Sequence, residues 1–212
     1  PGTATKYASS AYAWLRKVMG PAASFEEMSA AAERSRPGAR GVLFVPHLGG
    51  EGAPHWDPSL RGAFLGLDVA HDTGDLCRAV MEGVAFALKD AMTFVRDAGL
   101  PFDELRLLGG GSTSPLWCQT LSNVLETPLI VPRHRSAAWG GAVLCGMATG
   151  LFSRDASALR EMMTQDAIYE PDASAAGIYD ALHRVYREAD IVVAPISRRL
   201  AMLRERISPF CE

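Results

Sequence analysis

The tightest local constraint in this 212-residue chain is a strand that runs straight into three consecutive glycines and then into a helix. Residues 104–108, Glu-Leu-Arg-Leu-Leu, read as the strand, and Gly109-Gly110-Gly111-Ser112 must then turn sharply. A turn this short calls on the positive φ angles that glycine adopts freely. Ser114 caps the helix that follows, and Pro115 stands at its first position, where a missing N–H is no loss. Leu116, Trp117, Leu121, Val124 and Leu125 give that helix its apolar side. Leu129-Ile130-Val131 is a second strand, stopped by Pro132. Ser136 then caps a helix of very small residues, in which Gly141, Cys145 and Thr149 share one ridge and Ala142 and Gly146 the next. Ridges so low let a helix lie close to a sheet or to a ligand. Strands alternating with helices imply an α/β fold, held in one domain.

The residues before this unit extend the same pattern. Tyr12, Leu15 and Met19 recur at helical spacing over residues 8–19, and Gly20-Pro21 ends the run. Ser24 and Glu27 form a capping box for a second helix, closed by Pro37-Gly38. Residues 41–46 and 63–67 read as short strands. The Gly-, Pro-, Asp- and Ser-rich segment 47–62 between them reads as an irregular surface loop and a candidate site element. Asp72 caps a long helix that carries Leu76, Val80, Val84, Ala87, Leu88, Ala91, Val95 and Ala98 on one stripe as far as Gly99. From Asp155 on, the pattern predicts only helices: residues 156–163, 178–193 and 198–207.

A glycine turn at a positive helix end leaves backbone N–H groups open to a nucleotide or phosphate. A tight turn that binds nothing fits the same residues equally well. The phosphate loop GxxxxGK[ST] is absent. Gly109-x-Gly111-x-x-Ser114 approaches a dinucleotide fingerprint, and Arg133 after the next strand suits a 2′-phosphate. Such a unit opens its domain, however, whereas about half of this chain precedes it, so a dehydrogenase is the weaker reading. His47-x-x-x-Glu51-x-x-x-His55 offers zinc-ligand types, but the spacing aligns them only on a helix, which Gly49, Gly50, Gly52 and Pro54 oppose; no metal site is expected. Asp57 before Pro58 suits an Asx turn, and Trp56 a buried ring. Glu82, beside the long helix's stripe, reads as a structurally paired carboxylate. Cys77, Cys118, Cys145 and Cys211 have no histidine nearby to activate a thiolate and read as small core residues.

With 21 Lys and Arg against 24 Asp and Glu, the charge is too balanced to neutralise a run of phosphates, so nucleic acid is not an expected partner. No apolar run approaches the ~20 residues of a membrane span. Scattered cysteines without a CxxC pair suggest reduced thiols in a cytoplasmic setting. A start without Met suggests a piece of a longer protein.

Three segments taken together, GGEGAPHWDPSLRGAFLGL, RAVMEGVAFALKD and LRLLGGGSTSPLWCQTLSNVLETPLIVPRHRSAAWGGAVLCGMATGLF, resemble in content, order and interval the C-terminal domain of the FGGY carbohydrate kinases. The resemblance runs over residues 12–186, and its nearest likeness is to the xylulose-phosphorylating members. It implies an actin-like (ribonuclease H-like) α/β fold, residues 1–212 being the C-terminal, ATP-side lobe of a two-lobed sugar kinase that lacks its first strands. By that resemblance Gly110 and Gly111 lie against the adenosine of ATP, with Ser112 and Ser114 following. Ser9 and Ala13 fall where relatives place a glycine and a polar residue near the nucleotide, and Trp14 matches the family's aromatic. The helix over 137–149 is expected to pack beneath the same pocket.

Three positions depart from the family pattern. Gly52 replaces an arginine, Trp139 a small residue, and Ser114-Pro115 the region of an asparagine near the adenine. The implied cofactors are ATP and Mg²⁺, and the implied partners are a small sugar substrate and the N-terminal sugar-binding domain of the same enzyme, with homodimerisation left open. The implied reaction is ATP-dependent phosphorylation of a sugar or polyol hydroxyl, xylulose to xylulose 5-phosphate foremost, with gluconate, glycerol, erythritol and ribulose as alternatives. The family's catalytic Asp belongs to a motif upstream of these residues, so no catalytic residue is expected here and the chain alone should be inactive. A non-catalytic actin-like module that binds nucleotide is the rival from another class.

Overall fold

The computed structural model describes residues 5–20, 22–155 and 164–207. Its first helices, α1 (Ser9–Met19) and α2 (Phe25–Arg34), begin and end where the sequence places them. The expected capping box is formed: Ser24 Oγ accepts from Glu27 N at 3.1 Å, and Ser24 N donates to Glu27 Oε2 at 3.0 Å. A hairpin follows, β1 (Leu43–Val45) antiparallel to β2 (Ala63–Leu65) with Phe44 opposite Phe64. Between these strands, residues 47–62 are irregular, yet their root is not on the surface, because His47, Glu51, Ala53 and Leu60 are all buried.

Helix α3 (Thr73–Asp97) is the axle of the molecule. Asp72 Oδ1 caps it by accepting from Gly74 N and Asp75 N at 2.7 and 3.2 Å. The sequence predicts one buried stripe, but residues 77–87 are buried on every side, because α1, α2 and β1 all pack against this stretch. That crowding explains Gly83. A Cβ there would meet the Phe44 carbonyl oxygen at 2.1 Å, so only glycine lets β1 cross the helix this closely.

The second sheet has the order β3 (Leu105–Arg106), β4 (Leu129–Pro132), β5 (Gln165–Tyr169). β3 and β4 are parallel and joined through α4 (Pro115–Leu125), as the turn-and-helix pattern requires. β5 pairs antiparallel with β4, which corrects the all-helical reading of the C-terminal third. Of the three helices expected there, residues 156–163 lie outside the described residues, and the other two form one continuous helix, α6 (Ala173–Ile207), that carries Pro195 inside it. α6 packs against α4, β1 and α3 and sends Tyr179 and Tyr186 into the core beside Phe86.

The small-residue helix α5 (Ala137–Ala148) is capped by Ser136 as expected, but Gly146 is its only buried residue. Among the cysteines, Cys77 and Cys118 are core residues whereas Cys145, on α5, is exposed, and Cys211 lies outside the described residues. Trp56, expected to bury its ring, is 74% exposed, while Asp57 Oδ1 does form the expected Asx turn by accepting from Ser59 N at 2.8 Å. No described helix is long and apolar enough to cross a membrane.

Candidate nucleotide pocket and a buried histidine cluster

A cavity of about 580 Å³ opens between α1, α2 and the glycine turn, within the usual size of small-molecule sites. Ser9 and Ala13 face it from α1, Gly110 and Gly111 from the turn, and Ser114 from the cap of α4. Five of the seven residues singled out from the sequence therefore meet at one surface. The turn is held rigidly beneath it: Ser112 Oγ donates to Gly109 O at 2.6 Å, Thr113 Oγ1 to Gly110 O at 2.7 Å, and Arg135 to Ser112 O at 3.0 Å. Gly109 takes the expected positive φ, +84°. A Cβ on Gly110 would meet nothing within 4 Å, so its missing side chain leaves space that the protein itself does not fill. A Cβ on Gly111 would come within 2.9 Å of Ser9 Oγ, so that glycine lets α1 approach the turn.

Ser112 and Trp14 lie outside the cavity wall. Ser112 is buried and spends its hydroxyl on the turn. Trp14 stacks on Phe44 with ring centroids 6.1 Å apart, on the side of α1 that faces the hairpin. The small-residue helix α5 does not underlie this pocket; it lines a second, apolar cavity of about 410 Å³ with Leu108, Pro132 and His134. Trp139 stacks on His134 there at 4.1 Å.

Sequence reasoning missed the third wall, supplied by Phe25, Glu26 and Ser29 of α2. The one usable signal was the aromatic Phe25 at the start of α2, which stacks on Tyr12 of α1 with ring centroids 6.1 Å apart. Tyr12 and Trp117 close the floor in an edge-to-face pair at 5.3 Å. The Tyr12 hydroxyl is buried with no described group within hydrogen-bond geometry, and burial, with Cys77 close by, drives its pKa up. The wall is thus mainly apolar, edged by hydroxyls and one carboxylate, and it contains no Lys or Arg among the described residues.

A second polar centre lies in the loop between β1 and β2. His47 Nδ1 is 2.9 Å from Glu51 Oε2, and His47 Nε2 is 2.8 Å from Asp190 Oδ1 on α6. His55 Nε2 is 2.8 Å from the other oxygen of Asp190. The loop therefore brings His47, Glu51 and His55 together without a helix. Burial opposes the imidazolium of His47, yet hydrogen bonds to Asp190 and Glu51 outweigh it and push its pKa up to about 9. The hydrogen bond to Asp190 raises that of His55 as well. Burial likewise works against the ionised forms of Glu51 and Asp190, but the imidazoles hold both carboxyls below their ordinary values. Asp190 escaped the sequence reading, although an acid followed by Ile191-Val192-Val193 is a detectable anomaly.

An α/β lobe with a glycine turn opening a helix, and with a small-molecule-sized cavity above that turn, agrees with the actin-like architecture that the resemblance implies. Residues 2–149 match the C-terminal domain of the FGGY family of carbohydrate kinases, and the chain belongs to that family. It is 32% identical over 174 residues to a xylulose kinase of Staphylococcus epidermidis, covering 82% of this chain and 35% of that protein. It is 34% identical over 198 residues to a glycerol kinase of Geobacter sp. (strain M21), covering 89% of this chain and 39% of that protein. Among solved structures, ligand-bound xylulose kinase from Lactobacillus acidophilus superposes with a TM-score of 0.79 at 26% identity, over 90% of this chain and 39% of that one. The chain thus spans little more than a third of the length of these relatives.

Proposed function

We propose that the chain is the ATP-side lobe of a cytoplasmic FGGY sugar kinase, which transfers the γ-phosphoryl group of MgATP to a hydroxyl of a sugar or polyol. The observation that carries this reading is the convergence of Ser9, Ala13, Gly110, Gly111 and Ser114 on one cavity. Aromatic and apolar walls suit a base and ribose. The Glu26 carboxylate and the lack of a cationic wall residue disfavour a triphosphate here, so the adenosine end occupies the cavity and the phosphates lead away from α2. Phosphoryl transfer then needs positioning and charge neutralisation more than covalent help from this lobe. Mg²⁺ bound to the phosphates would supply the neutralising charge. The residues of this chain orient the adenosine, and an N-terminal sugar-binding domain contributes the catalytic Asp. Xylulose is the acceptor put first, on the recurrence of xylulose kinases among both the sequence relatives and the solved structures, beside glycerol and gluconate kinases.

Calorimetric titration of the chain with ATP tests the pocket. Gly110→Val adds a side chain where the protein has open space, so ATP affinity should fall at least 10-fold while the melting temperature stays put. Unchanged ATP affinity in this variant would refute the assignment. Gly111→Val is the harsher companion, since it also displaces the Ser9 hydroxyl.

A further inference from the structure

We propose that His47, His55 and Asp190 form a structural site for a zinc-class divalent transition-metal ion, with Glu51 as the outer carboxylate that orients His47. One donor atom from each of the three residues lies within 4.8 Å of the other two. Two imidazoles and a carboxylate are the donor mixture that zinc, cobalt and nickel favour, whereas magnesium and calcium take oxygen-only sets. Glu51 gives the arrangement its direction. By accepting from His47 Nδ1 at 2.9 Å it holds the proton on that nitrogen and turns Nε2 toward Asp190. A carboxylate behind a histidine is the usual support of a metal-bound imidazole. Glu51 is itself fixed from the far side, since its Oε1 accepts from Lys6 N at 2.9 Å and Gly52 N at 2.7 Å. It is therefore built into the loop as a support for His47.

Charge and access agree with this assignment. Glu51 and Asp190 are two buried carboxylates whose charge the two imidazoles offset in the metal-free protein; a divalent cation that replaces the Nε2 protons keeps the same balance. The side chains of His47 and Asp190 are 2% and 7% exposed, while that of His55 is 34% exposed, which leaves one side open for entry and for a water as fourth ligand. The ion would fasten the 47–62 loop to α6, a junction that Arg198 already reinforces through Asp57 at 2.7 Å. This site shares no residue with the lining of the nucleotide cavity, and its test needs no nucleotide.

The test uses the 212-residue chain, stripped with a chelator and titrated with cobalt(II) and with zinc chloride. One equivalent per chain should bind, with the visible absorption bands of four- or five-coordinate cobalt, a higher melting temperature, and no displacement by millimolar Mg²⁺. The partly exposed His55 makes His55→Ala the main variant, and it should lose the equivalent while retaining its far-ultraviolet circular dichroism. Glu51→Gln should bind about 10- to 100-fold more weakly. His134→Ala, which removes an exposed imidazole elsewhere, should bind like the parent chain. A parent chain with no cobalt bands overturns the proposal, and so does an equivalent that survives in His55→Ala or disappears in His134→Ala.

Discussion

Glu82 sits at the meeting point of three elements. Its Oε1 accepts from Gly38 N at 2.9 Å, Arg78 Nε at 2.9 Å and Tyr179 Oη at 3.0 Å, and Arg78 also donates to Ser35 O at 3.0 Å. Burial lifts its carboxyl pKa against the opposing pull of these donors. The structural pairing expected from its place on the helix is therefore fulfilled by partners that no local reading could name, because Tyr179 is 97 residues away. Glu82→Ala would strand the buried Arg78 guanidinium together with two donors. We expect a loss of about 3–5 kcal/mol in urea denaturation, the cost of leaving one member of a buried ion pair alone. A loss below about 1 kcal/mol would show that Arg78 finds another partner. Single residues were less legible wherever exposure decided the outcome. Trp56 and Cys145 belong to types that are commonly buried, yet their neighbours leave both in solvent.

At the level of elements, the close crossing of β1 over α3 sets the sharpest test. Gly83→Ala places a methyl group against a backbone carbonyl that cannot rotate away. Destabilisation of about 1–3 kcal/mol or more should follow, read as a lower urea midpoint at unchanged slope. An unshifted midpoint would mean that the hairpin is not anchored on the helix. Four helix starts were legible in the sequence because their signals are local: Ser24, Asp72, Ser114 and Ser136 each cap the helix they announce. β5 was not. Its residues Gln165–Tyr169 are half exposed and carry no strong apolar alternation, so its existence depends on hydrogen bonds offered by β4. Helix α5 failed in the opposite direction. Its small apolar residues suggest a helix pressed against something, but among the described residues only Gly146 is covered.

For the molecule as a whole, the glycine-turn half of the site was legible and the α2 wall was not, since that wall depends on how α2 packs on α3. The functional reading predicts that the chain alone does not turn over sugar, because it assigns both the sugar site and the proton-accepting Asp to the N-terminal domain. Stoichiometric ADP release on mixing the chain with MgATP and a panel of sugars would refute this. The same scale gives the histidine cluster another significance. His47 and Asp190 are 143 residues apart, so on a ribosome the loop is synthesised long before its last partner emerges. Until then His47 and Glu51 have no Asp190 to close their network, and water answers His47 Nε2 in its place. The buried network of the loop is therefore completed only when α6 docks, which ties the hairpin to the last-made helix of the chain.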